Sequence, residues 1–360
     1  MLDEARSFSE IEESLSAAKA AGLRFVSDDS KGIERRRRGK AFQYLLPSGA
    51  TLNDRDELAR IRKLAIPPAW TDVWICASPN GHIQATGRDA RGRKQYRYHA
   101  DWHRVRSEAK FDHLLTFARA LPHIRDVVHR EMSERGLGRR KVLATVVHLL
   151  ETTLIRVGNR EYARDNKSFG LTTLQDRHVE FSGSEVRFKF RGKSSKEWRL
   201  KVTDRRVARI VRSCQELPGQ HLFQYEDDAG EICQISSADV NSYLREISGA
   251  DVTAKDFRTW AGTVLAAMAL KEFEQFDSET AAKRNIRAAI ETVAARLGNT
   301  TTICRKCYVH PEVLNCYLEG TLVKTLTRKI RSELRDHAKH LSAEEAATLV
   351  LLHARLSRGT

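Results

Sequence analysis

The stretch Arg296-Leu-Gly-Asn-Thr-Thr-Thr-Ile-Cys-Arg-Lys-Cys-Tyr308-Val-His-Pro-Glu312 sets a question for the rest of the chain. It holds a single tyrosine, Tyr308, among Arg305, Lys306 and His310, with Asn299 upstream. An unperturbed tyrosine hydroxyl titrates near about pH 10, so at neutral pH it is a poor nucleophile. Cations around it favour the phenolate and suit an anionic substrate. A nucleophilic tyrosine attacking a phosphate needs further cations and a proton donor, and these must come from elsewhere in the sequence.

The 360 residues are enough for two or three domains with ordinary cores, and 41 % hydrophobic with 30 % charged residues fits a soluble globular protein. A net charge of +15 makes nucleic acid the first candidate partner. The six cysteines are too sparse for a disulfide scaffold, so reduced thiols are expected. Cys304-x-x-Cys307 with His310 looks like half a zinc site, but no second pair completes it, so no metal and no other cofactor is expected. The first residues carry no apolar run of a signal peptide, and no stretch is long enough to span a membrane. The expected location is the cytoplasm, in association with the nucleoid.

Along the chain, a helical pattern runs from Ser9 to Ala21. Arg35-Arg-Arg-Arg38-Gly-Lys40 reads either as a solvated loop or as a phosphate-contacting strand, since Phe42 and Tyr44 alternate after it. A short helix, Asp54–Ala65, stops at Ile66-Pro-Pro-Ala-Trp70. Val73–Ala77 and His82–Thr86 flank a Pro-Asn-Gly turn as a β-hairpin. Next, Arg88, Arg91, Arg93, Lys94 and Arg97 interleave with Gln95, Tyr96 and Tyr98, a pattern that suits phosphates, sugars and base edges. From about Trp102 the period becomes helical, with helices expected over Phe111–Leu121, Ile124–Arg135 and Lys141–Ile155. Val179–Phe181, Glu185–Phe190 and Glu197–Val202 form a three-strand meander. Helices resume at Asp204–Leu217, Ser237–Ile247, Ala254–Phe276 and Ser278–Leu297, and the tail from Glu319 to Arg358 is helical apart from a loop near Leu341. The fold class is α+β. The expected division is 1–103, a β-rich N-terminal domain; 104–318, a mainly helical catalytic domain; and 319–360, a helical tail.

Pro67-Pro-Ala-Trp70, Gly87-Arg-Asp followed by Gly92-Arg-Lys-Gln-Tyr-Arg-Tyr98, Arg156-x-Gly158-x-x-x-Tyr162, Gly192-Lys193, Lys255-Asp-Phe-Arg258-Thr-Trp and Arg305-x-x-Tyr308 occur in this order. Together they resemble the type IB DNA topoisomerases in their compact poxvirus-like and bacterial form. The resemblance implies a tyrosine-recombinase-like catalytic fold and a monomer that closes as a clamp around double-stranded DNA. It implies relaxation of supercoils through a 3′-phosphotyrosyl intermediate, without ATP or metal. Tyr308 matches the nucleophile, Arg156 and Arg258 the arginines that hold the scissile phosphate, and Lys193 the general acid for the leaving 5′-oxygen. Asn299 stands where many relatives carry a histidine; its amide can donate a hydrogen bond but cannot titrate. Gln95, Tyr96 and Tyr98 match DNA-contacting positions of the N-terminal domain, and Arg93, Lys94, Gly158, Tyr162 and Lys255 are further candidate DNA-binding residues.

The chemistry is coherent without the resemblance. A five-coordinate phosphorus gains charge on its non-bridging oxygens, and two fixed guanidiniums can hold it. A phosphotyrosine conserves the energy of the broken bond. Each residue also has an ordinary reading. Arg156 could be the cation at a helix C-terminus, Gly158 a helix cap, Tyr162 a core aromatic and Lys193 a solvated turn lysine. Two rival functions are a tyrosine recombinase or integrase, in which His-x-x-Arg stands where this chain has Lys255-x-x-Arg258, and a non-catalytic basic DNA-binding protein.

Overall fold

A computed structural model describes residues 15, 18–39, 41–273, 276–327 and 340–357, with residues 103–110 and 112 described by their backbone alone. Most of the helix expected over Ser9–Ala21, the tail segment 328–339 and Lys40 lie outside the described residues. The chain divides into two compact units, Met1–Phe111 and Asp112–Thr360.

In the first unit the elements are β1 (Ile33–Arg38), β2 (Ala41–Leu45), α1 (Arg55–Lys63), β3 (Thr71–Ile75), β4 (Ile83–Arg88) and β5 (Lys94–Tyr98). The strands form one antiparallel sheet in the order β2-β1-β3-β4-β5. Strand alternation sends Ile33, Val73, Ile75 and Ala85 to one face, where Ile61 of α1 and Leu52 complete a small core. The Asp54 carboxylate starts α1 by accepting from the backbone N–H of Asp56 and Glu57. The four-arginine run is strand β1, and Arg35 is turned inward to a structural task. Its Nη2 donates to the carbonyls of Pro67 (3.0 Å) and Trp70 (2.8 Å), and its guanidinium lies over the Phe42 ring. The Pro-Pro-Ala-Trp stretch is thereby tied to the sheet.

The helix α2 (Ala100–Glu131) passes through position 103 and through the division between the units. The two helices expected over Phe111–Leu121 and Ile124–Arg135 are one, continuous across Pro122. Leu114, Phe117, Leu121, Ile124, Val127 and Val128 form an unbroken buried stripe. Burial of that stripe outweighs the hydrogen bond that proline forfeits. The central helix of the second unit, α3 (Arg139–Thr153), is buried along nearly its whole length and ends at Leu154 in a left-handed conformation (φ 58°). A short α4 (Arg160–Asn166) follows. Then comes the antiparallel meander of β6 (Val179–Ser182), β7 (Glu185–Arg191) and β8 (Glu197–Thr203). Val186, Phe188 and Phe190 alternate inward from β7.

Next come α5 (Arg205–Gln215), a small hairpin of β9 (Gln224–Glu226) and β10 (Ile232–Gln234), and α6 (Ser237–Ser248). They are followed by α7 (Ala254–Lys271), α8 (Glu279–Leu297), α9 (Thr301–Cys307) and α10 (Pro311–Leu318). The tail supplies α11 (Leu322–Leu326) and α12 (Ala343–Leu356).

The α12 helix folds back onto its own unit. Leu349, Val350, Leu351 and Leu352 enter the core. At its N-terminus Glu345 accepts from Arg125 Nη2 (2.8 Å) and from the Trp260 indole (3.1 Å), and near its end Arg355 pairs with Glu312 (2.6 Å). Burial raises the Glu345 carboxyl, but Arg125, the Ser342 N–H and Trp260 hold it below its ordinary 4.5. Its stabilising contribution is therefore complete above that value and fades as pH falls through the lowered one. Glu345→Ala is expected to cost about 1–3 kcal/mol at neutral pH. Denaturant unfolding should show that difference at pH 7 and a smaller one as pH falls below the ordinary carboxyl value.

Candidate active site

Helix α3 stops at the left-handed Leu154, a conformation that costs a bulky side chain roughly 1–2 kcal/mol. The turn redirects the chain, and residues 156–158 run alongside residues 170–172. Leu171 N donates to Arg156 O (2.9 Å) and Thr172 N to Val157 O (2.7 Å). The approach needs glycines on both sides: a Cβ at Gly170 would lie 2.5 Å from Arg156 O and 2.6 Å from the Gly158 Cα. Gly158, at φ +105°, is thus a close-packing residue and not a helix cap. Arg156 lies beyond its helix, and its Nη2 donates to Asn299 Oδ1 and not to the last carbonyls of α3.

Arg258 is held in the second turn of α7 and is 3 % exposed. Its Nη1 donates to Leu154 O, and its Nη2 donates to Leu297 O at 2.6 Å. These carbonyls stand at the C-terminal ends of α3 and α8, where the helix dipoles favour a cation. Burial, followed by the charge of Arg156, pushes Arg258 down to about 10, against the opposite pull of Tyr308. It stays protonated at neutral pH, and among the described residues its buried Nε has no hydrogen-bond partner.

Tyr308 caps the C-terminus of α9, and the Arg258 guanidinium lies 5.1 Å from its ring centroid. The backbone here is pressed against α7: a Cβ on Gly262 would sit 2.5 Å from Tyr308 O, and Thr263 Oγ1 donates to that carbonyl. Lys193 is exposed in the tight turn between β7 and β8, as its hairpin position predicts. A cavity of about 320 Å³ is lined by Arg156, Gly158, Tyr162, Lys193, Lys255, Arg258 and Tyr308, together with Phe169 and Ser168. Residues spread over more than 150 positions of sequence thus converge on one basic cleft. Asn299 joins them through Arg156. With its oxygen committed there, its buried Nδ2 has no hydrogen-bond partner among the described residues.

The neighbours of Tyr308 play lesser parts. Arg305 and Lys306 are exposed and do not line the cleft, and His310 Nδ1 caps α10 by accepting from Glu312 N. Cys304 is fully buried, and burial pushes its thiol up to about 11. Among the described residues no group of three or more histidine, cysteine or acidic side chains could hold a metal ion.

The residues expected to touch DNA in the N-terminal unit lie on β5, an edge strand, except Arg93, which immediately precedes it. Tyr96 is 42 % exposed and stacks on Tyr98, with ring centroids 5.8 Å apart. Arg93 pairs with Asp89 (2.7 Å), whose carboxyl the Arg93 hydrogen bond holds down to about 2, and Gln95 donates to the same carboxylate. Lys94 pairs with Asp28 (2.6 Å). A phosphate would have to compete with these acids. Sequence reasoning missed Gly262, Gly170 and the two helix-end carbonyls, because their parts depend on contacts between segments far apart in the chain.

Residues 99–338 match the family model of the eukaryotic DNA topoisomerase I catalytic core, and residues 41–89 match that of the bacterial DNA topoisomerase IB N-terminal domain. Both are descriptions of DNA topoisomerases, which are isomerases. The chain is 32 % identical over 296 residues to DNA topoisomerase 1B of Acanthamoeba polyphaga mimivirus, covering 80 % of this chain and 88 % of the relative. It is 23 % identical over 263 residues to DNA topoisomerase 1B of Vaccinia virus (strain Copenhagen), covering 70 % and 79 %, and similarly to DNA topoisomerase I of Monkeypox virus. The chain belongs to the type IB DNA topoisomerases. Among the described residues no helix is long and apolar enough to cross a membrane.

Gly262→Ala is expected to cost about 1–3 kcal/mol by overpacking. Thermal unfolding of the variant beside the parent protein measures this; an unchanged midpoint would mean that α7 and the Tyr308 segment separate freely.

Proposed function

We propose that the protein relaxes supercoiled duplex DNA by cutting and resealing one strand through Tyr308. The observation that carries this reading is the convergence of Tyr308, Arg156, Arg258 and Lys193 on one cleft, with Asn299 bonded to Arg156. The Tyr308 oxygen attacks the scissile phosphorus and its proton passes to water. The phosphorus–O5′ bond breaks, a 3′-phosphotyrosyl bond forms, and Lys193 gives a proton to the departing 5′-oxygen.

Arg156 and Arg258 hold the charge that develops on the non-bridging oxygens, and the unpaired Asn299 Nδ2 is a further donor for one of them. Arg258 is well suited, since its orientation is fixed by Leu154 and Leu297 before any substrate arrives. The broken strand turns about its partner while the link persists. The free 5′-hydroxyl then attacks the phosphotyrosine, so resealing draws on the conserved bond and needs no ATP. The guanidiniums supply the positive charge that a metal would otherwise bring. Lys255 and Tyr162 face the backbone beside the reacting phosphate, and β5 of the N-terminal unit offers the duplex a second contact through Tyr96.

Incubation of plasmid without ATP or magnesium should give relaxed topoisomers. Denaturation of a labelled duplex reaction should trap a covalent protein–DNA adduct, whose cleavage site can be mapped. Tyr308→Phe is expected to bind the duplex normally and to form no adduct. Adduct formation by that variant would move the nucleophile elsewhere, and binding without relaxation by the parent protein would favour a non-catalytic DNA-binding role.

Asn299→Ala should slow adduct formation by about 10²–10³-fold. Asn299→His should keep most of the rate and introduce a pH dependence between about pH 5.5 and 8, where an imidazole titrates. Rate measurements across that range on the mapped duplex check both.

A further inference from the structure

We propose that Trp198 is a positioning residue that holds the Lys193 turn in register with the C-terminal end of α8. This rests on the reading of Lys193 as the proton donor to the leaving oxygen. Trp198 is the second residue of the strand that follows the Lys193 turn, and it is 8 % exposed. Its indole lies almost parallel to the Phe190 ring, at 3° and 6.2 Å between centroids, which fixes its plane from the first strand of the same hairpin.

The nitrogen-bearing edge of the indole packs against backbone from two separate segments. A Cβ at Gly192, the residue before Lys193, would come within 2.6 Å of the indole Nε1 and 2.7 Å of Cδ1. Further along the same edge a Cβ at Gly298, the residue before Asn299, would run into Cζ2 and lie 3.1 Å from Cη2. Gly298 is the left-handed C-cap of α8 at φ +64°. The ring is therefore a strut between the helix end that carries Asn299 and the turn that carries Lys193. Lys196 adds a weaker tie in the same direction, since its Nζ donates to Ala295 O at 3.5 Å.

The turn needs such a strut. Ser194 and Ser195 both adopt left-handed conformations (φ 62° and 59°), which residues with a Cβ disfavour. Within the turn the backbone bonds are Gly192 N to Lys196 O at 2.8 Å and Lys196 N to Lys193 O at 3.5 Å. The Lys193 side chain is exposed, so its position over the cleft follows the turn. Proton donation to a leaving alkoxide is sensitive to placement, and a displacement of about 1 Å can cost about 10²-fold in rate.

The test compares the parent protein, Trp198→Ala, Trp198→Phe and Lys193→Ala on two duplexes that share the mapped cleavage site. One carries an ordinary phosphodiester there. The other carries a bridging sulfur in place of the 5′-oxygen, a leaving group that needs no proton. With the ordinary duplex, Trp198→Ala should form adduct about 10²-fold more slowly, with Trp198→Phe losing less. With the sulfur duplex both should return to within a few-fold of the parent protein, as Lys193→Ala should. A Trp198→Ala variant that is equally slow on both duplexes, beside a rescued Lys193→Ala, makes Trp198 core filling only and overturns the proposal. A folded Trp198→Ala at the parent rate also overturns it. If Lys193→Ala itself is not rescued, the proton-donor reading fails, and the positioning role falls with it. Should Trp198→Ala not fold, the same sulfur comparison on Trp198→Phe decides.

Discussion

A buried guanidinium holds the catalytic unit's cleft in shape. Removing Arg258 from water is costly, and the lowering of its proton affinity records that cost. The cost is offset by where the charge sits. Two of its nitrogens donate to carbonyls at the C-terminal ends of α3 and α8, both negative ends of helix dipoles. A lysine could not bridge them in this way, since its point charge lacks the planar fork that fixes two acceptors at once. The same side chain that would bind the phosphate thus holds together the two helix ends from which other members of the site emerge.

The consequence is a common origin for the set. Arg156 follows two residues after Leu154, and Asn299 two residues after Leu297, so both leave from carbonyls that Arg258 grips. The two side chains then meet in a hydrogen bond. One turn further along α7, Gly262 admits the Tyr308 backbone, which brings the tyrosine ring beneath the Arg258 guanidinium. Lys193 alone comes from the meander, across a turn with little internal support. The site is therefore rigid on the side that would bind phosphate and depends on packing of the hairpin on the side that would deliver a proton.

Much of this was legible in the sequence. The hairpin around Pro79-Asn-Gly81, the three-strand meander and the long helices carry clear periodicity, and the order of the spaced motifs pointed to one family. What escaped was of two kinds. Short elements such as α4, α9, α10 and the β9–β10 hairpin are too brief to show a period. The break placed at Pro122 gave local propensity too much weight, since the apolar stripe continues on either side of it and burial wins. The site's outline was readable because its polar residues are few and of distinctive types. Its supports were not, because a glycine that accepts another segment's carbonyl looks like any other glycine until the segments meet. In the N-terminal unit the arginine run, readable from sequence either as a solvated loop or as a phosphate-contacting strand, has Arg35 committed to the Pro67–Trp70 loop and Arg36 paired with Glu34.

The fold-back of α12 bears on how the protein can be handled. Glu345 is bonded to Trp260, and Trp260 sits two residues from Arg258 on the same helix. A fragment ending before Ser342 would keep every residue of the cleft and lose this brace, along with the apolar face that α12 lays into the core. Shortened versions made for crystallisation or for fusion to another protein should therefore extend through Arg355, whose pairing with Glu312 and Glu319 closes the helix onto α10. The last helix belongs to the catalytic unit as much as the segment that bears its tyrosine.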